Sequence, residues 1–216
     1  ERLLLRALAI HREATGPITP GMTLGPALRD LAVTLNNLAG LYHTQGRYAD
    51  AAEAFKTIAS LRELMVGPHH ADVATALHNI GEVYRPQGRH IDAEPFLRRA
   101  LSIWEKALGP DHTLVAVALD SLALSFQAQG QLLEAESLSK RSLAIRERAL
   151  GPDHPDVGRS LHSLAALAFG KRDWARAADF WLRSTSVIIR RTDRATSGPR
   201  TRDETERVNH QFWSLA

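Results

Sequence analysis

Three histidines recur at a spacing of 42 residues, His70, His112 and His154, each shortly after a glycine-proline pair. Regular histidines raise metal binding as the first chemistry to test, and the spacing argues against it. Ligands of one zinc ion all lie about 2 Å from the metal, whereas equivalent residues of stacked helix pairs sit about 8–10 Å apart, the distance between packed helices. The histidines therefore read as part of a linker and helix cap, and the adjacent His69 has no acidic or histidine partner at helical spacing. With no cysteine in the chain, disulfides, thiolate catalysis and cysteine-bound zinc are excluded. Serine, aspartate and histidine do meet, as Asp120-Ser121 and His162-Ser163, but a catalytic triad needs a strained nucleophile turn and an oxyanion hole. There is no Gly-x-Ser-x-Gly, no phosphate loop ending in Gly-Lys-Ser/Thr and no His-Glu-x-x-His. The expectation is a chain that is not an enzyme and uses neither metal nor cofactor. The arginines after residue 182 (Arg183, Arg190, Arg191, Arg194, Arg200, Arg202, Arg207) are the feature that would suit nucleic acid. Interleaved Asp193, Asp203, Glu204 and Glu206 dilute them, and no aromatic stacking series accompanies them. A solvated face is the stronger reading, and a nucleic-acid-binding module using these arginines is the alternative.

What positions these side chains is an internal repeat. The 42-residue period is marked by Gly67-Pro68, Gly109-Pro110 and Gly151-Pro152, by Leu35, Leu77, Leu119 and Leu161, and by Ala51, Ala93, Ala135 and Ala177. Residues 67–108 and 109–150 share 17 identities in 42 positions without a gap, the signature of a repeat architecture. In each period Leu31, Leu35, Leu38, Leu41 and Tyr42, or Leu77, Ile80, Val83 and Tyr84, form a helical stripe that predicts a first helix, A. Gln45-Gly46, Gln87-Gly88 and Gln129-Gly130 then reverse the chain, because glycine accepts the left-handed conformation that ends a helix. A second helix, B, runs through Ala51, Phe55 and Leu61, or Ala93, Leu97, Leu101 and Ile103, until the Gly-Pro pair stops it. Pro155 suits a first helical turn and Asp156 favours the positive helix N-terminus, so the following helix A starts near 155. Small residues, Ala39, Gly81, Ala123 and Ala165 on helix A and the recurring alanines on helix B, mark where the two helices approach closely.

Leu38-Ala39, Tyr42, Gly46, Tyr48, Ala51 and Phe55, with Ile80-Gly81, Tyr84, Gly88 and Ala93, resemble the tetratricopeptide signature at its own spacing. The longer period, with Gly-Pro-Asp-His in the linker and Ala93-Glu94-Pro95 in helix B, is similar to the 42-residue subclass of kinesin light chains and many bacterial multidomain proteins, over roughly residues 28–192. Four features depart from it. The first linker is longer, Pro86 sits in the last turn of a helix A, Ser142 and Ser184 replace alanine late in helix B, and Arg172 stands where a turn glycine belongs. The resemblance implies an all-α fold, a right-handed superhelical solenoid of antiparallel helix pairs whose A helices line a concave groove. Its groove positions carried onto this chain are Val33, Asn36, Asn37 and Gly40, then Thr75, His78, Asn79 and Glu82, then Val117, Asp120, Ser121 and Leu124, then Arg159, His162, Ser163 and Ala166. Of the polar members, Asn36, Asn37, Thr75, His78, Asn79, Glu82, Asp120, Ser121, Arg159 and His162 are the candidate partner-binding residues. Asn37 and Asn79 lead, since an amide can both donate to and accept from a peptide backbone; a polar contact to the next repeat is their equally weighted alternative. With asparagines but no lysine in these rows, tight binding to acidic chaperone tails is not expected.

The implied organisation is the second helix of a truncated repeat at 1–13, an extended Gly/Pro-rich linker at 14–27, four helix pairs at 28–194, a polar linker at 195–202 and a capping helix at 203–216. The half-repeat at the start points to removed upstream sequence. Val208, Phe212 and Leu215 suit a cap over Ile188 and Ile189. The same tail is similar to the junction where bacterial arrays lead into a caspase-like catalytic domain of the CHAT type, and one helix can do both. At 216 residues, 44% hydrophobic, 24% charged and with a net charge of +3, the composition is that of an ordinary globular protein with only a weak basic bias. No stretch approaches a membrane span or secretion signal. The expected function is a cytoplasmic scaffold that binds a protein or peptide ligand and forms the regulatory or sensing part of a larger protein.

Overall fold

In the computed structural model residues 24–196 are described, with side chains from 28 to 190 and at 192. They form eight α-helices: α1 (Leu24–Thr44), α2 (Tyr48–Val66), α3 (Ala71–Tyr84), α4 (His90–Leu108), α5 (Thr113–Ala128), α6 (Leu132–Leu150), α7 (Pro155–Gly170) and α8 (Trp174–Thr196), with a short 3₁₀ turn at Arg85–Gln87. Odd-numbered helices are the A helices and even-numbered ones the B helices. The chain divides into two compact units after Ile145. No helix among the described residues is long and apolar enough to cross a membrane. The expected half-repeat, the capping helix and most of both linkers lie outside the described residues.

The first helix begins at Leu24, inside the stretch expected to be linker up to 27. Pro26 is the third helical residue, where the missing amide hydrogen has no intrahelical acceptor to lose. At the other end α8 runs two residues past 194, to Thr196. Between these limits the chemistry of starts and stops repeats. His70, His112 and His154 are N-caps, and each Nδ1 accepts from the backbone N–H two residues on, Asp72, Leu114 and Asp156, at 3.2, 3.1 and 3.2 Å. The ring nitrogen thus does the work usually given to a serine or aspartate oxygen. Gly67, Gly109 and Gly151, which close the B helices, have φ of +87°, +92° and +82°, a backbone that side chains avoid.

In the first unit, Ala39, Ala51, Ala93 and Ala135 are completely buried at the helix contacts. Leu97, Trp104, Leu119 and Ile145 are among the large buried side chains of its core. The turn from A to B carries a clamp in the first two repeats. Arg47 stacks over Tyr42 at 4.2 Å and donates to Asp50, while Arg89 stacks over Tyr84 at 4.5 Å and donates to Asp92. Arg99 and Arg141 reach back to Glu63 and Glu105 on the preceding B helix, both at 2.6 Å. The pairs are partly exposed and contribute about 0–1 kcal/mol each. Ser142 is buried and donates to the Ala116 carbonyl at 3.1 Å. The departure from alanine therefore adds a hydrogen bond between helices A and B. Pro86 ends α3 at Tyr84, and the chain leaves through the 3₁₀ turn to Gly88 at φ +69°.

The second unit repeats this chemistry with changes. Ser184 donates to the Gly158 carbonyl at 2.9 Å, the counterpart of the Ser142 bond one period later. Arg183 pairs with Glu147 at 3.3 Å, continuing the ladder of arginines and glutamates. Arg146 is buried and donates to Ser160 Oγ at 2.6 Å. Arg172 occupies the left-handed turn with φ +61°, the one described non-glycine residue to do so. Trp174 and Trp181 lie at the surface rather than in the core. They are 57% and 37% exposed and pack against Phe169 instead, with ring centroids 5.0 and 5.7 Å apart. Trp104, at 1% exposed, is buried and donates its indole N–H to the Ala71 carbonyl of its own repeat at 3.2 Å, and Trp213 lies outside the described residues.

Candidate functional site

The first unit brings three A helices, α1, α3 and α5, into register, and the expected groove residues are carried by all three. Asn36, Asn37 and Val33 are exposed on α1. Thr75 is half-buried, and its hydroxyl donates to the Ala71 carbonyl at 3.2 Å, so it is engaged within its own helix. Three residues further on the side chains of two helices meet, where His78 Nε2 lies 3.0 Å from Ser121 Oγ, with Ser121 nearly fully buried. Glu82 stands 3.9 Å from the same His78 nitrogen and accepts two bonds from Arg85, at 2.9 and 2.7 Å. Trp104 packs against His78, with ring centroids 5.5 Å apart.

This packing sets the charge states. Burial pushes the His78 pKa below its ordinary value, against the smaller raising effect of Glu82 and Asn79. His78 is thus neutral at neutral pH. Burial would raise the Glu82 carboxyl, but the bonds from Arg85, aided by Ser121, hold it below the usual carboxylate range. Asn79 is half-buried beside His78, and Asp120 is half-buried with a polar partner. The candidate residues His78, Glu82 and Ser121 thus form one network rather than independent contacts.

Beyond this network the helix ends enclose an open cleft of about 700 Å³. His43 of α1, Glu82 and Arg85 at the end of α3, and Leu124, Gln127 and Ala128 of α5 line it, with Pro86 and His90 at the edge. His43, Arg85 and Gln127 are 42 residues apart and so hold the same position in three successive A helices. The sequence reading placed the row at 40, 82 and 124 and missed this next one. The period alone could have found it, as three residues with hydrogen-bonding side chains three positions, about one helical turn, beyond the row at 40, 82 and 124. Exposed Val33 and Leu41 on α1 and Leu124 on α5 supply apolar surface.

In the second unit, Arg159 is exposed on α7 and ion-paired with Asp156, while His162 is exposed and Ser163 donates to the Arg159 carbonyl. The arginines behind the nucleic-acid alternative are engaged where their side chains are described. Arg183 pairs with Glu147 and Asp179, and Arg190 with Asp153 at 2.6 Å. Arg191, Arg194, Arg200, Arg202 and Arg207 lie outside the described side chains.

Comparison with known proteins agrees with the fold. The tetratricopeptide repeat family model matches residues 30–103, 72–132 and 116–187. Among solved structures, BtubC (BKLC) from P. vanneervenii is 21% identical and superposes with a TM-score of 0.72, over 92% of this chain and 77% of that one. A Podospora anserina kinesin-light-chain-like protein of nearly identical TPR-like repeats is 22% identical, with a TM-score of 0.66 over 88% of this chain and 85% of that one. MamA is 18% identical, with a TM-score of 0.57 over 78% and 88%. No curated protein matches the chain. These likenesses extend to the fold. Repeats of this kind generally mediate contacts between proteins, and the overlapping matches span most of the sequence: the chain belongs to the tetratricopeptide repeat family.

Proposed function

We propose that this chain is a protein-interaction scaffold whose α1, α3 and α5 face receives an extended peptide or a loop of a partner protein. The observation that carries the reading is the open cleft of about 700 Å³ lined by the ends of three successive A helices. Its lining mixes hydrogen-bonding side chains with apolar ones, the combination that orients a peptide while burying its side chains. Asn36 and Asn37, exposed on α1, are placed to bond a peptide backbone. His78 and Asn79 lie on α3 and Ser121 on α5, two of the helices whose ends line the cleft. Backbone hydrogen bonds to such a peptide contribute about 0.5–1.5 kcal/mol each. In a longer protein this face would serve as the sensing part, its occupancy passed to a neighbouring domain through two states of different partner affinity.

Selection of displayed random peptides against the whole chain tests the proposal. Peptides so obtained are expected to lose about tenfold or more in affinity for a double variant, Asn37→Ala with Asn79→Ala, two bonds at that strength. The circular dichroism of the variant should be unchanged. Peptides that bind both proteins equally would place the site elsewhere on the molecule.

A further inference from the structure

The three histidine caps are alike in backbone and in bond but not in surroundings. His70, His112 and His154 have φ of −76°, −73° and −74° and ψ of 146°, 144° and 141°, so the three linkers end in one conformation. In each, Nδ1 accepts from the amide two residues on, which it can do only while it carries no proton. A proton there turns the acceptor into a donor aimed at another donor, and it sets a positive charge at the positive end of a helix. Imidazole is the side chain whose charge changes in the weakly acidic range.

Two of the three helix starts carry groups that compensate. Asp72 lies in the first turn of α3, its Oδ2 3.6 Å from His70 Nδ1, and Asp156 in the first turn of α7, its Oδ1 4.0 Å from His154 Nδ1, although it is shared with Arg159. Each carboxylate can accept from a protonated ring and offset its charge. At α5 the same position is Leu114, and the first turn holds no acidic residue. The preceding B helices differ in the same way. Arg62 donates to the Asp72 carbonyl at 2.6 Å and Arg146 to the Asp156 carbonyl at 3.4 Å, bracing the first turns of α3 and α7. The residue of that register before α5 is Trp104, whose indole N–H donates to the Ala71 carbonyl of α3 instead. Asp111 precedes His112 as Asp153 precedes His154, so it does not set α5 apart from α7. It has a polar partner, as has Arg148, which stands where Arg190 pairs with Asp153 one period later. Glu105, in the last turn of α4, is paired with Arg141, and Lys106 follows it. Of the side chains that cap, brace or compensate at α3 and α7, α5 has the histidine alone.

We propose that His112 is a proton-sensitive latch on α5: in weak acid the first turn of this helix opens, while α3 and α7 stay capped. The linker 109–112 then becomes a hinge between the second and third helix pairs. α5 is the helix that carries Leu124, Gln127 and Ala128 to the cleft, and the latch operates whether or not a peptide is bound there. Amide exchange of the full chain tests this, followed residue by residue by NMR at about pH 7.5 and about pH 5.5 and divided by the intrinsic rates of the unfolded sequence. The expected result in acid is a loss of protection of about fivefold at residues 114–116, the weight of one helix cap, and of about twofold at most at residues 72–74 and 156–158. His112→Asn, which caps through an oxygen that does not titrate, should abolish the loss. Leu114→Asp, which gives α5 the carboxylate that α3 and α7 have, should reduce it to their level. Equal losses at all three helix starts, or none at α5, overturn the proposal. So does a loss at 114–116 that persists in His112→Asn, which would assign it to another group such as His78, bonded to Ser121 of the same helix.

Discussion

Gly81 offers the sharpest test of how the helix pairs are packed. It lies mid-helix in α3, where the same register of α1, α5 and α7 holds Ala39, Ala123 and Ala165. A Cβ on Gly81 would sit 2.5 Å from Leu97 Cδ2 and 2.6 Å from Leu97 Cγ. Carbon atoms rest about 3.5–4.0 Å apart, so Leu97 would have to retreat by about 1 Å. Leu97 is completely buried and has nowhere open to go. Overpacking of this kind costs about 1–3 kcal/mol, against a helix-propensity gain of about 0.8–1.0 kcal/mol for replacing glycine by alanine. Gly81→Ala should therefore lose about 1 kcal/mol net. Gly40 supplies the control, since a Cβ there meets nothing within 4 Å. Gly40→Ala should gain about 0.8–1.0 kcal/mol. The effect of Gly81→Ala should reverse sign once Leu97→Ala has removed the obstacle, although Leu97→Ala alone costs about 2–5 kcal/mol through its cavity. Urea midpoints followed by far-ultraviolet circular dichroism read the four variants, because repeat arrays need not unfold in one step and a midpoint survives that. If Gly81→Ala stabilises as much as Gly40→Ala, or acts identically in both backgrounds, the close approach of α3 to α4 is wrong.

Other consequences can be checked with the same instruments. Enlarging Ala93 or Ala135, both fully buried, to Phe should cost about 1–3 kcal/mol or more, whereas Gln131→Phe on the surface should stay within about 0.5 kcal/mol; equal effects in the urea midpoints would mean that the helix register is misassigned. Arg172→Gly should raise the melting temperature. The left-handed turn costs a non-glycine residue about 1–2 kcal/mol, partly offset by about 0.5–1 kcal/mol of extra chain entropy for glycine; a lower melting temperature would refute it. His78 gives a pH dependence. Its folded pKa lies below the ordinary 6.5, so on acidification the unfolded chain takes up the proton first. The His78 contribution is complete above about pH 6.5 and is lost progressively as the pH falls from there toward the lower folded value. Urea midpoints between about pH 7 and 5 should fall, and His78→Gln should flatten that limb; an unchanged slope would show that burial of the imidazole is not what sets it. The Glu82 carboxylate, also lowered, adds a separate loss below its ordinary 4.5.

The fold was legible because the period is long, regular and chemically redundant. Gly46, Gly88 and Gly130 end the A helices, Gly-Pro ends the B helices, and Ala51, Ala93, Ala135 and Ala177 mark the close approaches, so each boundary is written several times over. Even the histidines yielded to geometry, and their ring nitrogens proved to be the caps that the linker needed. The two boundaries that moved, at 24 and 196, lie at the ends of the array, where a helix can gain or lose a turn without changing the period. What the period does not encode is how side chains on neighbouring A helices spend their hydrogen bonds. His78 and Ser121 hold the same face of two helices but sit one position apart in the period, 78 against 79 once Ser121 is shifted back by 42. Their 3.0 Å contact is a product of the stacking angle, which no spacing in the sequence specifies. The same holds for Arg85, which a row-by-row reading leaves out but which neutralises Glu82. Three of the ten candidate residues are therefore spent on one another, and Thr75 on its own helix, which narrows what a partner can meet in the first unit. The groups open there include the amides of Asn36, Asn37 and half-buried Asn79, the cleft row of His43 and Gln127, and the apolar Val33, Leu41 and Leu124. None of these carries a fixed charge. A partner selected by this face should therefore be recognised through its backbone and apolar side chains, with weak salt dependence, in contrast to the steep dependence that phosphate contacts would impose.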